Sequence, residues 1–286
     1  MRLGLHALGI GSGARRGVID AVARGAEAAG FARLWAGEHV VMVDEPASEY
    51  PYADNGRIAV PAEADWLDPL IGLSFVAAAT TSIGIATGVL LLPEHNPVVV
   101  AKQAASLDVL SCGRLTLGIG VGWSREEFTA LGVPFERRGR RTAEYVAAMR
   151  ALWSEDVASF QGEYASFDAI RVNPKPVRRR IPVVVGGTTD AALRRIAGWG
   201  DGWYGFNLRD VAEVRERVGT LQRLCAEAGR ERVDVAVALR DPDPADPPEL
   251  AAAGVDELVI VAGPPKDPGE AAEWVAALGE RWSASD

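Results

Sequence analysis

Short β-type runs alternate with amphipathic helical stretches from one end of the chain to the other. Strand-like runs fall at 2–8, 33–36, 83–90, 115–120, 181–185, 202–206, 233–239 and 257–261. Helical periodicity fills 18–29, 69–80, 97–110, 142–153, 191–200, 211–228, 247–253 and 270–278. In the stretch 191–200, Leu193, Ile196 and Ala197 fall on one stripe while Arg194 and Arg195 face away. Thr188-Thr189-Asp190 offers N-cap oxygens before it, and Gly198 and Gly200 mark its end. Pro182-Val-Val-Val-Gly186 is apolar on both faces, the pattern of a parallel strand covered by helices.

Such alternation means a parallel sheet with right-handed crossovers. Eight units in 286 residues predict an α/β (β/α)₈ TIM barrel, whose chemistry sits at the C-terminal ends of the strands. No linker or composition break divides the chain, so residues 1–286 read as one domain. Two connections are longer than ordinary. Residues 40–66, with Tyr50-Pro51-Tyr52 and Trp66, read as an irregular loop on the catalytic rim, and 154–180 as an inserted hairpin turning at Gly162-Glu163-Tyr164.

With 48% hydrophobic residues, disorder is excluded as a global reading, and a net charge of −9 opposes any broad grip on nucleic acid or an anionic membrane. Cys112 and Cys225 make neither a disulfide scaffold nor a metal-knuckle spacing, and no secretory signal is visible, so a cytoplasmic protein is expected. Residues 69–93 carry no charge up to Pro93. That length suits a membrane span, but Thr80-Thr81-Ser82 and Gly84 divide it into a buried helix, a turn and a buried strand. No His, Cys, Asp and Glu set has metal-ligand spacing, so no metal is expected.

Three features occupy predicted strand ends. Leu34-Trp35-Ala36-Gly37 runs into Glu38-His39, where a carboxylate adjoins an imidazole able to titrate near neutrality; a brace for the following loop is the alternative. Gly118-Ile-Gly120-Val-Gly122-Trp123 and Gly186-Gly187-Thr188-Thr189-Asp190 end two further strands, bare backbone that lets a flat or phosphorylated ligand approach, the second at a helix N-terminus suited to an anion. His95, between Glu94 and Asn96-Pro97, reads as turn and cap chemistry, and His6 as a group packed or hydrogen-bonded inside the barrel. Gly9-Ile-Gly11-Ser-Gly13-Ala14 fits a dinucleotide-binding loop, but a Rossmann reading leaves Glu38-His39 and both later glycine clusters unexplained.

Several of these segments together resemble one family. Leu34-Trp-Ala-Gly-Glu-His39, Thr87-Gly88-Val89-Leu-Leu-Leu-Pro93, Gly113-Arg-Leu-Thr-Leu-Gly-Ile-Gly-Val-Gly-Trp123, Gly132-Val-Pro-Phe-Glu-Arg-Arg-Gly139, Pro182-Val-Val-Val-Gly-Gly187 and Ala197-Gly-Trp-Gly-Asp-Gly-Trp203 are similar, in order, to bacterial luciferase-like flavin and deazaflavin oxidoreductases. The resemblance implies a redox ring at the strand mouths. It gives Glu38 and His39 to the cofactor face, with His39 as proton donor, and a non-prolyl cis peptide at Gly88-Val89 behind the central ring. It also implies Val121 and Gly122 against the cofactor and Gly186, Gly187 and Thr188 around its phosphate. Sugar-phosphate dehydrogenases of the family carry a catalytic Glu where Trp123 stands. A more apolar substrate, walled by Trp66, Trp123 and Trp203, is therefore expected.

Coenzyme F420 is the expected cofactor and FMN the alternative. Only Lys102, Lys175 and Lys266 are lysines among 30 basic residues, a bias resembling high-GC actinobacterial proteins, whose members often use F420. Arg178-Arg179-Arg180 either serves an anionic cofactor tail or is a solvated charge run. The expected activity is hydride transfer between F420 and a small, apolar organic molecule. The FMN alternative is a monooxygenase fed by a separate flavin reductase; a further alternative is a flavin carrier without turnover. Members of the family often form homodimers.

Overall fold

Helix α1 (Arg16–Ala28) buries Val18, Ile19, Val22, Ala23 and Ala26, the 3.6-residue stripe that turns it towards the strands. The same logic closes the whole molecule. The computed structural model describes residues 1–283, and its strands β1 (Arg2–Leu8), β2 (Arg33–Ala36), β3 (Gly84–Thr87), β4 (Leu115–Ile119), β7 (Val183–Gly186), β8 (Gly202–Leu208), β9 (Asp234–Leu239) and β10 (Glu257–Val261) form a closed, parallel eight-stranded barrel. Closure comes from β1, which pairs with β2 through Leu5 and Leu34 and with β10 through Leu5 and Ile260. Helices α2 (Pro69–Ala79), α3 (Pro97–Leu110), α5 (Arg138–Ser154), α6 (Asp190–Trp199), α7 (Val211–Glu227), α8 (Pro247–Ala252) and α9 (Pro268–Ser283) follow the strands around it. The long connection at 154–180 holds an antiparallel hairpin, β5 (Ala158–Gln161) and β6 (Ser166–Ile170). The Rossmann alternative is set aside, because the sheet has no open edge at which a dinucleotide crevice would form.

One element escaped the hydrophobic pattern: α4 (Arg125–Ala130), six residues between β4 and α5. The charge-free stretch divides as expected, into α2, capped by Asp68 on Ile71 N, and then β3. Among the described residues, no helix is long and apolar enough to cross a membrane. Ile71 and Phe75 on α2 and Val99 and Leu110 on α3 leave apolar surface exposed on two neighbouring helices.

The core has two layers. The outer one lies between strands and helices; the inner one fills the barrel with Trp35, Ala86, Val184, Tyr204, Ala236, Ala238 and Val259. Trp35 and Tyr204 stack with centroids 4.6 Å apart, and Trp35 Nε1 donates to Glu257 Oε1 at 2.8 Å. Glu257 is fully buried, and burial raises its pKa even though Arg33 donates to it at 2.8 Å. This ion pair closes the N-terminal end and leaves the other end to the loops that follow the strands.

Candidate functional site

The floor of that open end is built by β3. Just beyond it the Gly88–Val89 peptide is cis, and the Val89 side chain lies between β4 and β7. A Cβ at Gly120 would come within 2.7 Å of Val89 Cγ2, and one at Gly186 within 3.0 Å of Val89 Cγ1. These two glycines therefore make room for the chain's own Val89, a packing role in addition to the ligand approach expected of them. Gly122 and Gly187 differ: their φ angles of +75° and +108° belong to the left-handed side that favours glycine, and they turn the chain away from the strand tips. Val121, between Gly120 and Gly122 in the chain, is half-buried. His6 and Phe206, with ring centroids 6.2 Å apart, complete the floor.

His39 stands at the rim of this floor, held by α4. Its Nδ1 lies 2.8 Å from Glu127 Oε2, while Glu127 Oε1 accepts from Val40 N at 2.7 Å and Val41 N at 3.2 Å. Glu126 does the same for Ala47 N and Ser48 N, and Ser124 caps the helix. A helix of six residues thus fixes both the imidazole and the loop behind it. Since Nδ1–H donates to Glu127, Nε2 is the nitrogen left for chemistry. The His39 ring meets the edges of Trp66 and Trp123, with centroids 4.9 and 5.8 Å away.

Glu38, adjacent in sequence, points elsewhere. It is buried, accepts from Leu91 N at 2.6 Å and lies 3.0 Å from His95 Nε2. His95 is therefore more than a turn residue: burial alone would lower its pKa, and the Glu38 carboxylate outweighs burial and raises it. Between the two carboxylate–imidazole pairs lies Glu94, 6% exposed, with both carboxyl oxygens buried and unbonded among the described residues. Burial, then Glu127 and Glu38, push its pKa up to about 9. Its Oε1 would sit 2.9 Å from a Cβ at Gly122.

The predicted rim loop roofs the mouth. Tyr50 packs edge-on to Trp123 at 5.2 Å, and Tyr52 edge-on to Phe206 at 5.6 Å. Tyr52 O accepts from Asn207 Nδ2 at 2.5 Å, Asp54 pairs with Arg240 at 2.9 Å, and Trp66 Nε1 donates to Gly37 O at 3.1 Å. Trp66 and Trp123 thus come together around His39. Trp203 does not join them. Strand alternation turns its neighbour Tyr204 into the barrel and Trp203 into the outer layer, where its Nε1 braces Gly187 O at 2.8 Å.

Of the two readings open for Arg178-Arg179-Arg180, its position favours the solvated charge run. These residues precede β7, and Arg179 pairs with Asp156 and Arg180 with Asp201, each at 2.6 Å. The mouth has other arginines. Arg138, at the start of α5, donates Nε to Gly122 O at 3.0 Å, and Arg195 of α6 lies beside Gly139. Arg195 Nε is buried without a partner among the described residues. Burial lowers the pKa of both, and each lowering reflects guanidinium charge short of carboxylate neighbours. Gly186, Gly187 and Thr188 run from β7 into α6, capped by Thr189, on the same side.

The site therefore joins a carboxylate-held imidazole, an aromatic box, a glycine-turned floor and a cationic flank. Comparison with known proteins adds four findings. The family model described as "Luciferase-like monooxygenase" matches residues 6–285. An uncharacterized protein of Mycobacterium tuberculosis (strain ATCC 25618 / H37Rv) is 37% identical over 266 residues, 92% of this chain and 93% of that one; the FMNH(2)-dependent dimethylsulfone monooxygenase of Pseudomonas putida is 30% identical over 193 residues, 65% of this chain and 52% of that one. The F420-dependent tetrahydromethanopterin reductase of Methanopyrus kandleri shares the fold with a TM-score of 0.76 at 16% identity, over 99% of this chain and 98% of that one.

Proposed function

The chain belongs to the luciferase-like monooxygenase family, and from that premise we propose an F420-dependent oxidoreductase that moves a hydride between the deazaflavin and a small, apolar organic substrate. The observation that carries this reading is His39, held through Nδ1 by Glu127 and boxed by Trp66 and Trp123 at the edge of the Gly88–Val89 floor. When bound, the deazaflavin supplies the two-electron chemistry. His39 Nε2 exchanges the accompanying proton, and the aromatic box excludes water from it. Glu38, engaged with Leu91 N and His95, would act on the ring by positioning the floor. Trp123 Nε1, buried and without a partner among the described residues, offers the substrate one polar contact in an apolar wall.

The residues present suit an anionic cofactor. Gly186, Gly187 and Thr188 would hold its phosphate at the N-terminus of α6, with Arg195 and Arg138 supplying charge and Val121 and Gly122 lining its path. Arg195→Ala is expected to weaken FMN binding by about 10–100-fold while leaving phosphate-free riboflavin within about threefold. The exposed Ile71, Phe75, Val99 and Leu110 support a homodimer.

The FMN reading, a monooxygenase fed by a separate flavin reductase, is favoured by the Pseudomonas putida relative. Parallel fluorescence titration with F420 and FMN separates the two. Micromolar F420 binding with FMN at least tenfold weaker is expected. The reverse order, with oxygen consumed on adding reduced FMN, would favour the monooxygenase. Tight binding without turnover by any oxidant would leave a carrier, and binding of neither would overturn the reading.

A further inference from the structure

The polar group on the barrel floor is His6, and its environment fixes which of its nitrogens carries the proton. His6 Nδ1 lies 3.1 Å from Tyr204 Oη. Tyr204 is 1% exposed, and burial raises its pKa well above the ordinary tyrosine value, so the hydroxyl keeps its hydrogen. That buried hydrogen needs an acceptor, and among the described residues Nδ1 is the acceptor the hydroxyl reaches. Burial also lowers the His6 pKa to about 4, which makes the ring neutral at physiological pH. A neutral imidazole accepting at Nδ1 carries its hydrogen on Nε2.

Nε2 lies against Gly37, the residue that follows β2 at the C-terminal end of the barrel. It would lie 3.4 Å from a Cβ at Gly37, and the ring's Cε1 3.3 Å from a Cβ at Gly88. No protein group bonds it among the described residues, and the residue keeps 8% of its surface exposed. Gly37, just beyond β2, leaves this nitrogen uncovered, and Gly88, in the cis peptide, leaves the Cε1 edge of the ring uncovered. Beneath it, Tyr204 is clamped by its stack on Trp35, and Trp35 by Glu257. The hydroxyl therefore cannot swing away without breaking the inner core.

We propose that His6 is a positioning residue whose Nε2–H, oriented by Tyr204, donates a hydrogen bond to an acceptor on the redox ring bound over Gly88–Val89. This rests on the proposed function for the presence of the ring, but the tautomer does not. The acceptor is a ring carbonyl oxygen, which flavins and deazaflavins share, or the ring nitrogen at the redox centre, which only flavins have. A donor here pulls electron density towards the polar edge of the ring and selects ligands that offer it a lone pair.

Two experiments keep the inference apart from its premise. On the cofactor-free protein, ¹⁵N–¹H correlation spectra of the His6 ring are expected to show the neutral Nε2–H form at pH 7, with Tyr204→Phe relaxing it to a tautomer mixture. An Nδ1–H ring in the wild type would overturn the inference whether or not any cofactor binds. The second compares binding and the visible absorption band of FMN and of F420 in wild type, His6→Phe and His6→Gln. His6→Phe is expected to weaken binding by about tenfold and shift the band, with His6→Gln, which keeps an N–H donor, restoring most of both. Weakening of both ligands assigns the carbonyl, and weakening of FMN alone assigns the ring nitrogen. Wild-type binding with no change in either variant would overturn the donor role, whereas failure of wild type to bind either ligand would overturn the premise instead.

Discussion

Replacing His39 by Ala should slow proton-coupled turnover by about 10²–10⁴-fold while changing cofactor affinity by no more than about threefold. The asymmetry follows from where the side chain stands. It lies at the rim and not in the floor, one nitrogen bound to Glu127 and the other without a protein partner among the described residues. Removing it takes away a proton-exchanging group without touching Gly88, Val89, Gly187 or the arginines. Stopped-flow oxidation of reduced F420 or FMN by a quinone such as menadione provides the readout. Glu127→Gln should give an intermediate loss, about tenfold, because the ring remains but its orientation is no longer held by a charged acceptor. If His39→Ala turned over like the wild type, the imidazole would be a loop brace and nothing more.

The second large effect concerns pH. Glu94 has a folded pKa of about 9, against an ordinary carboxyl value near 4.5. Between those values the folded state holds a proton that the unfolded chain has released, so stability falls as pH rises. The contribution is complete below the unfolded value and lost through the folded one. The groups facing this carboxyl are Glu127 from α4 and Glu38 from the end of β2; His39 and His95 reach it only through those two. An ionised Glu94 would add a further negative charge beside those two carboxyl groups in a buried cluster. In denaturant unfolding, the stability of wild type relative to Glu94→Gln should decline by about 3 kcal/mol between about pH 5.5 and 8.5, somewhat under the limiting slope of about 1.4 kcal/mol per pH unit. Parallel stability–pH curves for the two proteins would show that Glu94 is ionised in the fold.

The barrel was legible because hydrophobic alternation and glycine punctuation repeat through the whole chain, and β1, β2 and β10 begin and end where the pattern does. His39 was visible as a strand-end feature, and Gly88–Val89 through the family resemblance. Their supports were not. Helix α4 is too short to show periodicity, and nothing in Arg125-Glu126-Glu127-Phe128 says which glutamate turns inward until β2 and its loop arrive beside it. Arg195 does point away from the buried stripe of α6, as its periodicity implies, but Gly139 and Tyr52 come from distant segments to enclose it. Two placements were already implied by the sequence. Residues preceding a parallel barrel strand belong to the end opposite the chemistry, which relocates Arg178-Arg179-Arg180. Strand parity turns Tyr204 inward and therefore Trp203 outward.

The account stands most directly on where a redox ring rests, and crystallography of the protein grown with F420 or FMN measures it. The expected density lies flat against Gly88–Val89, with one edge towards His39 Nε2 and the phosphate beside Gly187, Thr188 and Arg195. Density for the ring at the Gly9–Ala14 turn, or on the far side of Tyr52 and out of reach of His39, would contradict it.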